Sequence, residues 1–170
     1  RKVMRVSDVK IWDIPPHDGM VNVSPDGRSI AYSKKNPDGL GWFGDPQIGG
    51  FQLLIASRTA SGEWSESRPF PFVEKGYVFA HPTWSQDGKK LYFSSDIPSP
   101  ESKGGMDLWV SERNGTFWEE PLNLGPEVNS KGDDVFPAFD ANGRLYFSSN
   151  GHPSLGGLDV FWTEVDTTVE

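Results

Sequence analysis

Apolar and polar residues alternate along this chain in short runs, broken by Asp-Gly, Asn-Gly and Gly-Gly pairs. Runs such as Thr83–Ser85 and Leu91–Ser94 are rich in β-branched and aromatic residues, which suit a pleated, half-buried strand. Asp-Gly and Asn-Gly favour positive φ, so between such runs they predict tight hairpin turns. The pattern also recurs. Val23-Ser24-Pro25-Asp26-Gly27-Arg28-Ser29-Ile30-Ala31-Tyr32-Ser33 returns as Trp84-Ser85-Gln86-Asp87-Gly88-Lys89-Lys90-Leu91-Tyr92-Phe93-Ser94. A further copy is Phe139-Asp140-Ala141-Asn142-Gly143-Arg144-Leu145-Tyr146-Phe147-Ser148. The turn glycines Gly27, Gly88 and Gly143 lie 61 and 55 residues apart.

Each copy is followed by a second element: Gly49-Gly50-Phe51-Gln52, Gly104-Gly105-Met106-Asp107 and Gly156-Gly157-Leu158-Asp159. A third element follows twice, as Gly62-Glu63-Trp64 and Gly115-Thr116-Phe117-Trp118. Ordered elements recurring at one period mark a repeat architecture. Strands at Thr83–Ser85, Leu91–Ser94, Leu108–Ser111 and Pro121–Leu124 make the unit four short antiparallel strands, the size of one propeller blade. The fold expected is therefore all-β, a β-propeller with about three four-stranded blades at 21–78, 79–133 and 134–170, the last lacking an obvious fourth strand. Val9–Ile14, within residues 1–20, reads as a strand of a preceding or closing blade. Because propellers close with about 4–8 blades, three imply a larger, five- to six-bladed ring completed by further blades or neighbouring chains.

Composition narrows the function. The chain has 170 residues, 19 Gly, 14 Pro, 7 Trp, 11 Phe and no Cys. Its aromatics argue against disorder, and the absence of Cys excludes a disulfide framework, a thiolate zinc site and a cysteine nucleophile. A formal net charge of −8 disfavours nucleic acid, since nothing offers phosphates a basic stripe. No apolar run approaches the roughly 20 residues of a membrane-spanning helix. The first residue, Arg1, is not Met, and reads as the start of a processed piece or an excised domain.

Ser-Pro-Asp-Gly-Arg at 24–28, Leu-Tyr-Phe-Ser-Ser at 91–95 and 145–149, and Gly-Gly-Leu-Asp-Val-Phe at 156–161 resemble the TolB-like, WD-type β-propeller repeats of bacterial envelope proteins. Three longer stretches narrow the likeness: 104–113, Trp-Glu-Glu-Pro-Leu-Asn-Leu-Gly at 118–125, and Asn-Gly-His-Pro-Ser-Leu-Gly-Gly-Leu-Asp at 150–159. They are similar to propeller modules of PorE-like, OmpA-family proteins of the Bacteroidetes type IX secretion system. The resemblance covers roughly residues 20–165 and implies a non-enzymatic scaffold or interaction module. It further implies a periplasmic, outer-membrane-associated location and protein partners of the cell envelope, without catalytic residues or cofactors to carry over. Gln52 departs from the pattern, standing where the other repeats have Asp. No tetratricopeptide or OmpA-like segment is present, so peptidoglycan binding is not assigned to these residues.

Candidate sites follow from strand order, which puts the short hairpin turns at one end and the longer loops at the other, where a rigid scaffold can present them. The first repeat has the longest such loop, 15 residues between Ser33 and Gly49, against 9 and 7 in the others. It contains Trp42 and Phe43, either a partner-binding anchor or a cover for a blade edge. Tyr77, His81, Asp133 and Asp134 enter the innermost strands. They could meet a partner or ligand beside the central channel, or Asp133 and Asp134 could cap turns. Asp107 and Asp159, with the turn residues Asp26, Gly27, Asp87, Gly88, Asn142 and Gly143, read as structural because they recur. Trp64 and Trp118 are expected to pack between blades. His17, His81 and His152 have no His or Cys partner at metal-ligand spacing, so no metal site is expected. An alternative function, a propeller glycoside hydrolase or a carbohydrate-binding domain, needs for the former two carboxylates about 5–10 Å apart, for which Asp133 or Asp134 is the candidate.

Overall fold

The alternating runs fold as antiparallel meanders in which each strand pairs with its neighbour in sequence. A computed structural model describes residues 19–35, 50–74, 76–154 and 156–165. Among these residues there are twelve strands and no helix. The first sheet runs β1 (Val21–Val23), β2 (Ser29–Lys35), β3 (Phe51–Ser57), β4 (Arg68–Pro69). The second runs β5 (Phe79–Trp84), β6 (Lys90–Ser95), β7 (Asp107–Asn114), with β8 (Phe117–Trp118) and β9 (Leu122–Asn123) both on the outer side of β7. The third runs β10 (Asp134–Phe139), β11 (Arg144–Ser149), β12 (Asp159–Glu164). The outer strand expected at Pro121–Leu124 is thus two fragments, separated around Pro121, which has no N–H for the ladder. The predicted strand at Val9–Ile14 lies outside the described residues.

The first hairpin turn of each sheet repeats one hydrogen-bond pattern. Ser24 Oγ donates to Asp26 Oδ1 (2.6 Å), Arg28 N–H donates to the same oxygen (2.9 Å), and Ser29 N–H donates to Ser24 Oγ (2.8 Å). Ser85, Asp87, Lys89 and Lys90 reproduce it at 2.6, 3.0 and 2.9 Å. In the third copy Asp140 takes the serine's place and accepts from Asn142 N–H (2.8 Å) and Arg144 N–H (2.9 Å). Only the glycine of each turn is left-handed, with φ of 69°, 70° and 85° at Gly27, Gly88 and Gly143. The two-residue hairpin expected from Asp-Gly would need positive φ at both residues, and Asp26, Asp87 and Asn142 do not adopt it. The carboxylate serves instead as a local acceptor inside a wider turn. The Ser24 hydroxyl and then the Arg28 amide hold the Asp26 carboxyl below its ordinary value. At Asp87 burial opposes this shift, but the Ser85 and Lys89 bonds and the charges of Lys89 and Lys90 together outweigh it.

The sheets stack face to face in sequence order. Ala31 and Leu53 of the first pack with Phe79, Leu91 and Phe93 of the second, and Phe70 joins them. Tyr92 and Leu108 of the second pack with Leu145 and Phe147 of the third. Met106 and Ala80 pack with Val135. Period-2 alternation explains this double use: Leu91 and Phe93 point back to the preceding sheet, while Tyr92 between them points forward to the next. Each fully buried apolar side chain of this kind contributes about 1.5–3 kcal/mol. Trp118 lies between sheets, 5.5 Å from the Phe70 ring and 5.7 Å from Trp84. Trp64 lies under the guanidinium of Arg58 in its own sheet, 4.8 Å from its centroid.

Candidate functional site

The chain between the second and third sheets, Asn129-Ser130-Lys131-Gly132-Asp133-Asp134, brings four buried polar side chains together: Asn129, Ser130, Asp133 and Asp134. Asn129 acts as a surrogate strand residue: Leu108 N–H donates to its Oδ1 (2.8 Å), and its Nδ2 donates to Leu108 O (3.0 Å). Asp133 Oδ1 accepts Met106 N–H (3.0 Å), while Asp133 N–H donates to Asn150 Oδ1 (2.7 Å). Asp134 Oδ2 accepts Ser130 N–H (2.6 Å) and Ser130 Oγ (3.0 Å). The buried carboxylates therefore satisfy backbone donors that the loop would otherwise leave unpaired, each worth about 1–3 kcal/mol if stranded.

Asp107, 1% exposed, starts β7 beside this segment. Its Oδ2 accepts Asn123 Nδ2 at 3.0 Å. Its Oδ1 closes no bond of good geometry, although the Ser102 hydroxyl and Lys103 amide face the carboxylate. Burial raises the Asp107 carboxyl above its ordinary value, and the neighbouring charge of Asp134 adds to the shift. His152 Nε2 bonds to Val128 O (2.8 Å) and lies 3.7 Å from Asp134 Oδ1. Among the described residues no three His, Asp or Glu side chains are grouped to hold a metal ion.

The innermost strands carry a second recurring device. Between Ala80 and Thr83, and between Val135 and Ala138, the pairing slips by one residue, a β-bulge in each strand. At both bulges a residue before proline is left-handed: His81 at φ 53° and Phe136 at φ 57°. Non-glycine residues rarely take this conformation, so the surrounding packing must hold it. His81 N–H donates to Ser33 Oγ of the first sheet (3.0 Å), and its ring stands 4.1 Å from Phe136 of the third. His81 thus ties the inner strands of the second and third sheets to β2 of the first.

Burial holds the His81 imidazole down at about 4, against an ordinary value of 6.5. The folded state therefore keeps His81 neutral while the unfolded chain takes up a proton below pH 6.5. This stability is present above 6.5 and is lost as pH falls toward the folded value. Between pH 7 and pH 5 the loss from His81 is about 2 kcal/mol. His81→Asn keeps a side chain that tolerates positive φ, and denaturant titrations at the two pH values are expected to show a correspondingly smaller loss.

A groove of about 670 Å³ opens on the outer side, where the second sheet's outer edge meets the loop after β4 and the loop after β6. Phe72, Ile97, Pro98, Trp109, Pro121 and Leu122 give it apolar walls, and Glu74, Glu101 and Glu120 add acidic groups. Its size falls in the ordinary range for binding clefts.

Of the residues singled out in the sequence, Trp42, Phe43 and His17 lie outside the described residues. Tyr77 is half-buried against the core between the first and second sheets. His81, Asp133 and Asp134 are 5%, 8% and 0% exposed. Their hydrogen bonds join sheets and loops. Asp107 joins the same network, while Asp159 starts β12 at the same register. Sequence patterns alone do not single out Asn123, Asn129, Ser130 and Asn150, which bond the pieces together, or the outer groove. A signal exists for the former in the clustering of Asn, Ser, Gly and Asp at 129–134, a composition typical of side-chain-to-backbone bonding.

No protein-family model matches this chain, and no curated protein matches it. Among solved structures it is similar to hydrazine synthase of Kuenenia stuttgartiensis, at TM-score 0.44 and 17% identity over 76% of this chain and 39% of that one. It is also similar to puromycin hydrolase in a complex with PGG, at TM-score 0.41 and 13% identity over 87% of this chain and 27% of that one. The chain spans well under half the length of either, and at these scores neither likeness bears on what this chain does.

Proposed function

We propose that this chain is a non-enzymatic protein-interaction module built of β-propeller repeats. In this reading it is part of a larger, five- to six-bladed propeller in a periplasmic, outer-membrane-associated protein, in keeping with the envelope-type repeat motifs. Protein partners of the cell envelope, including secretion machinery, are the class it serves. The observation that carries the reading is the groove between Phe72, Ile97, Trp109 and Leu122 with its three glutamates. The recurring polar side chains are spent on turns and loops, whereas this cleft leaves apolar surface open: Leu122 is 68% exposed. An apolar cleft with acidic groups on a chain of net charge −8 suits an extended peptide segment carrying apolar and basic side chains.

The test is a peptide array of extended sequences combining Leu, Pro and Lys, followed by fluorescence titration of the hits against the intact chain. Leu122→Asp is expected to weaken binding at least tenfold, or about 1.4 kcal/mol. Glu120→Lys is expected to weaken it mainly at low salt, because exposed charges act over roughly a Debye length. Binding that ignores both substitutions would remove the groove from the proposal.

A further inference from the structure

The three Asn-Gly pairs of this chain, at 114–115, 142–143 and 150–151, are turn signals and also places where backbone can react with side chain. The nitrogen of the following residue can attack the asparagine Cγ, and glycine, with no Cβ, leaves that approach open. The fold treats the three pairs differently.

At Asn150 the side-chain amide is held at both ends: its Oδ1 accepts Asp133 N–H (2.7 Å), and its Nδ2 donates to Asp133 Oδ2 (3.3 Å). Gly151 N–H donates to Ser149 Oγ (3.2 Å), and Ser130 and Gly132 fill the space beside the glycine. At Asn142 the attacking nitrogen is engaged. Gly143 N–H donates to Asp140 O (3.2 Å), and Asn142 N–H donates to Asp140 Oδ1 (2.8 Å). The Asp140 carboxylate also opposes the build-up of negative charge on that nitrogen.

Asn114 has none of these restraints. It is exposed at the end of β7, where the chain turns through Gly115 and Thr116 into β8. Among the described residues nothing hydrogen-bonds its side-chain amide or the Gly115 N–H, and nothing lies within 4 Å of the Gly115 Cβ position. Its backbone is held by pairing with Phe117, which belongs to a strand of two residues and is 78% exposed. Such a short, solvated edge opens at little cost. Arg113 Nε donates to Gly115 O at 3.0 Å, and so puts positive charge beside the nitrogen as it loses its proton.

We propose that Asn114 is a site of spontaneous deamidation in the folded protein, and that the fold withholds the same reaction from Asn142 and Asn150. Gly115 N gives its proton to hydroxide and attacks Asn114 Cγ. The N–Cγ bond forms, the Cγ–Nδ2 bond breaks, and Nδ2 takes up a proton and leaves as ammonia. Water then opens the succinimide ring at either carbonyl, giving aspartate or isoaspartate. No oxidant or cofactor is consumed. Either product sets a carboxylate in the shallow cleft of Lys89, Glu112, Arg113 and Glu119. Isoaspartate also routes the backbone through the former side chain, which lengthens it opposite Phe117 and breaks the register of β7 with β8. None of these residues borders the outer groove.

The experiment incubates the intact chain in mildly alkaline buffer, folded and in parallel in urea. Each Asn-Gly peptide is followed by mass spectrometry, with isoaspartyl methyltransferase labelling of the products. In the folded chain Asn114 is expected to convert about tenfold or more faster than Asn142 and Asn150, the ratio that about 1.4 kcal/mol of extra restraint gives. In urea the three rates should converge. Asn114→Gln, whose longer side chain closes this ring poorly, should remove the fast phase of ammonia release from the folded chain. Three results would overturn the proposal. One is Asn142 or Asn150 converting as fast as Asn114 in the folded chain. Another is an Asn114 that stays intact in the folded chain, which would mean that the hairpin itself protects it. The last is the same order of rates in urea, which would place the selectivity in the neighbouring residues and not in the fold.

Discussion

Gly132→Ala is expected to destabilise the chain by about 3 kcal/mol or more, through steric overlap with backbone that cannot give way cheaply. An added Cβ would collide with Asn150 Oδ1 and lie 2.7 Å from Gly151 N. Moving the asparagine is no remedy, because its Oδ1 accepts Asp133 N–H at 2.7 Å, and that buried amide would be left unpaired. Moving Gly151 is no remedy either, since its own Cβ position is filled by Ser130 Oγ and Gly132 N. Gly115→Ala provides the contrast. Gly115 has φ 62°, and none of the described residues comes within 4 Å of its Cβ position, so the backbone conformation is what resists the substitution, at about 1 kcal/mol. Urea midpoints of the two variants should differ clearly. Native-state hydrogen exchange should show Gly132→Ala releasing the amides of Ser130, Asp133 and Asp134 first, because these bonds cross the disturbed contact. A Gly132→Ala chain as stable as Gly115→Ala would mean that the loop has room to move and does not lock the sheets.

The other large effect is expected at Phe93. Its ring is fully buried, 5.4 Å from Phe70 and 5.8 Å from Phe79, at the junction of the first and second sheets. Phe93→Ala removes that apolar area and leaves a cavity that neighbours on two sheets cannot collapse to fill, at about 3–5 kcal/mol. For a chain of this size that is a fall in melting temperature of roughly 10 °C. Phe117, 78% exposed on the outer edge, is expected to change stability by no more than about 0.5 kcal/mol on substitution by Ala. Calorimetry on the pair checks whether the inter-sheet core, rather than aromatic content in general, holds the stack. Combining Phe93→Ala with Gly132→Ala should give nearly additive losses, because one acts between the first and second sheets and the other between the second and third.

Much of this architecture is legible in the order of the residues. Leu91-Tyr92-Phe93 and Leu145-Tyr146-Phe147 declare strands through alternation alone. The glycines at 27, 88 and 143 mark turns, because only there does each turn need a left-handed residue. The all-β class and the three-fold recurrence follow from such local signals, which depend on residues a few positions apart. The hairpin geometry is less legible, and the expectation of a two-residue turn is too tight. Asp26 and Asp87 take up turn N–H groups through their carboxylates, so neither has to adopt positive φ, and the pair Asp-Gly does not distinguish these two uses.

Strands, turns and repeats are thus written into the chain itself, since period-2 burial and glycine conformational freedom are properties of short segments. Which residues meet across repeats is settled only when the sheets stack. Asp133 and Asp134 could have faced a partner or capped a loop. In the folded chain both carboxylates accept backbone N–H groups where Gly105, Gly132 and Gly151 approach closely, and that approach involves segments some 20 to 30 residues apart. His81 and Phe136 are left-handed at bulges in two neighbouring sheets, with their rings 4.1 Å apart, and nothing beyond the following proline marks either one in the chain. Leu158 and Val160 stand in the register of the buried Met106 and Leu108, yet are 50% and 71% exposed. Whether such a stripe is covered depends on the presence of a neighbouring sheet, and burial is a property of the neighbour as much as of the strand.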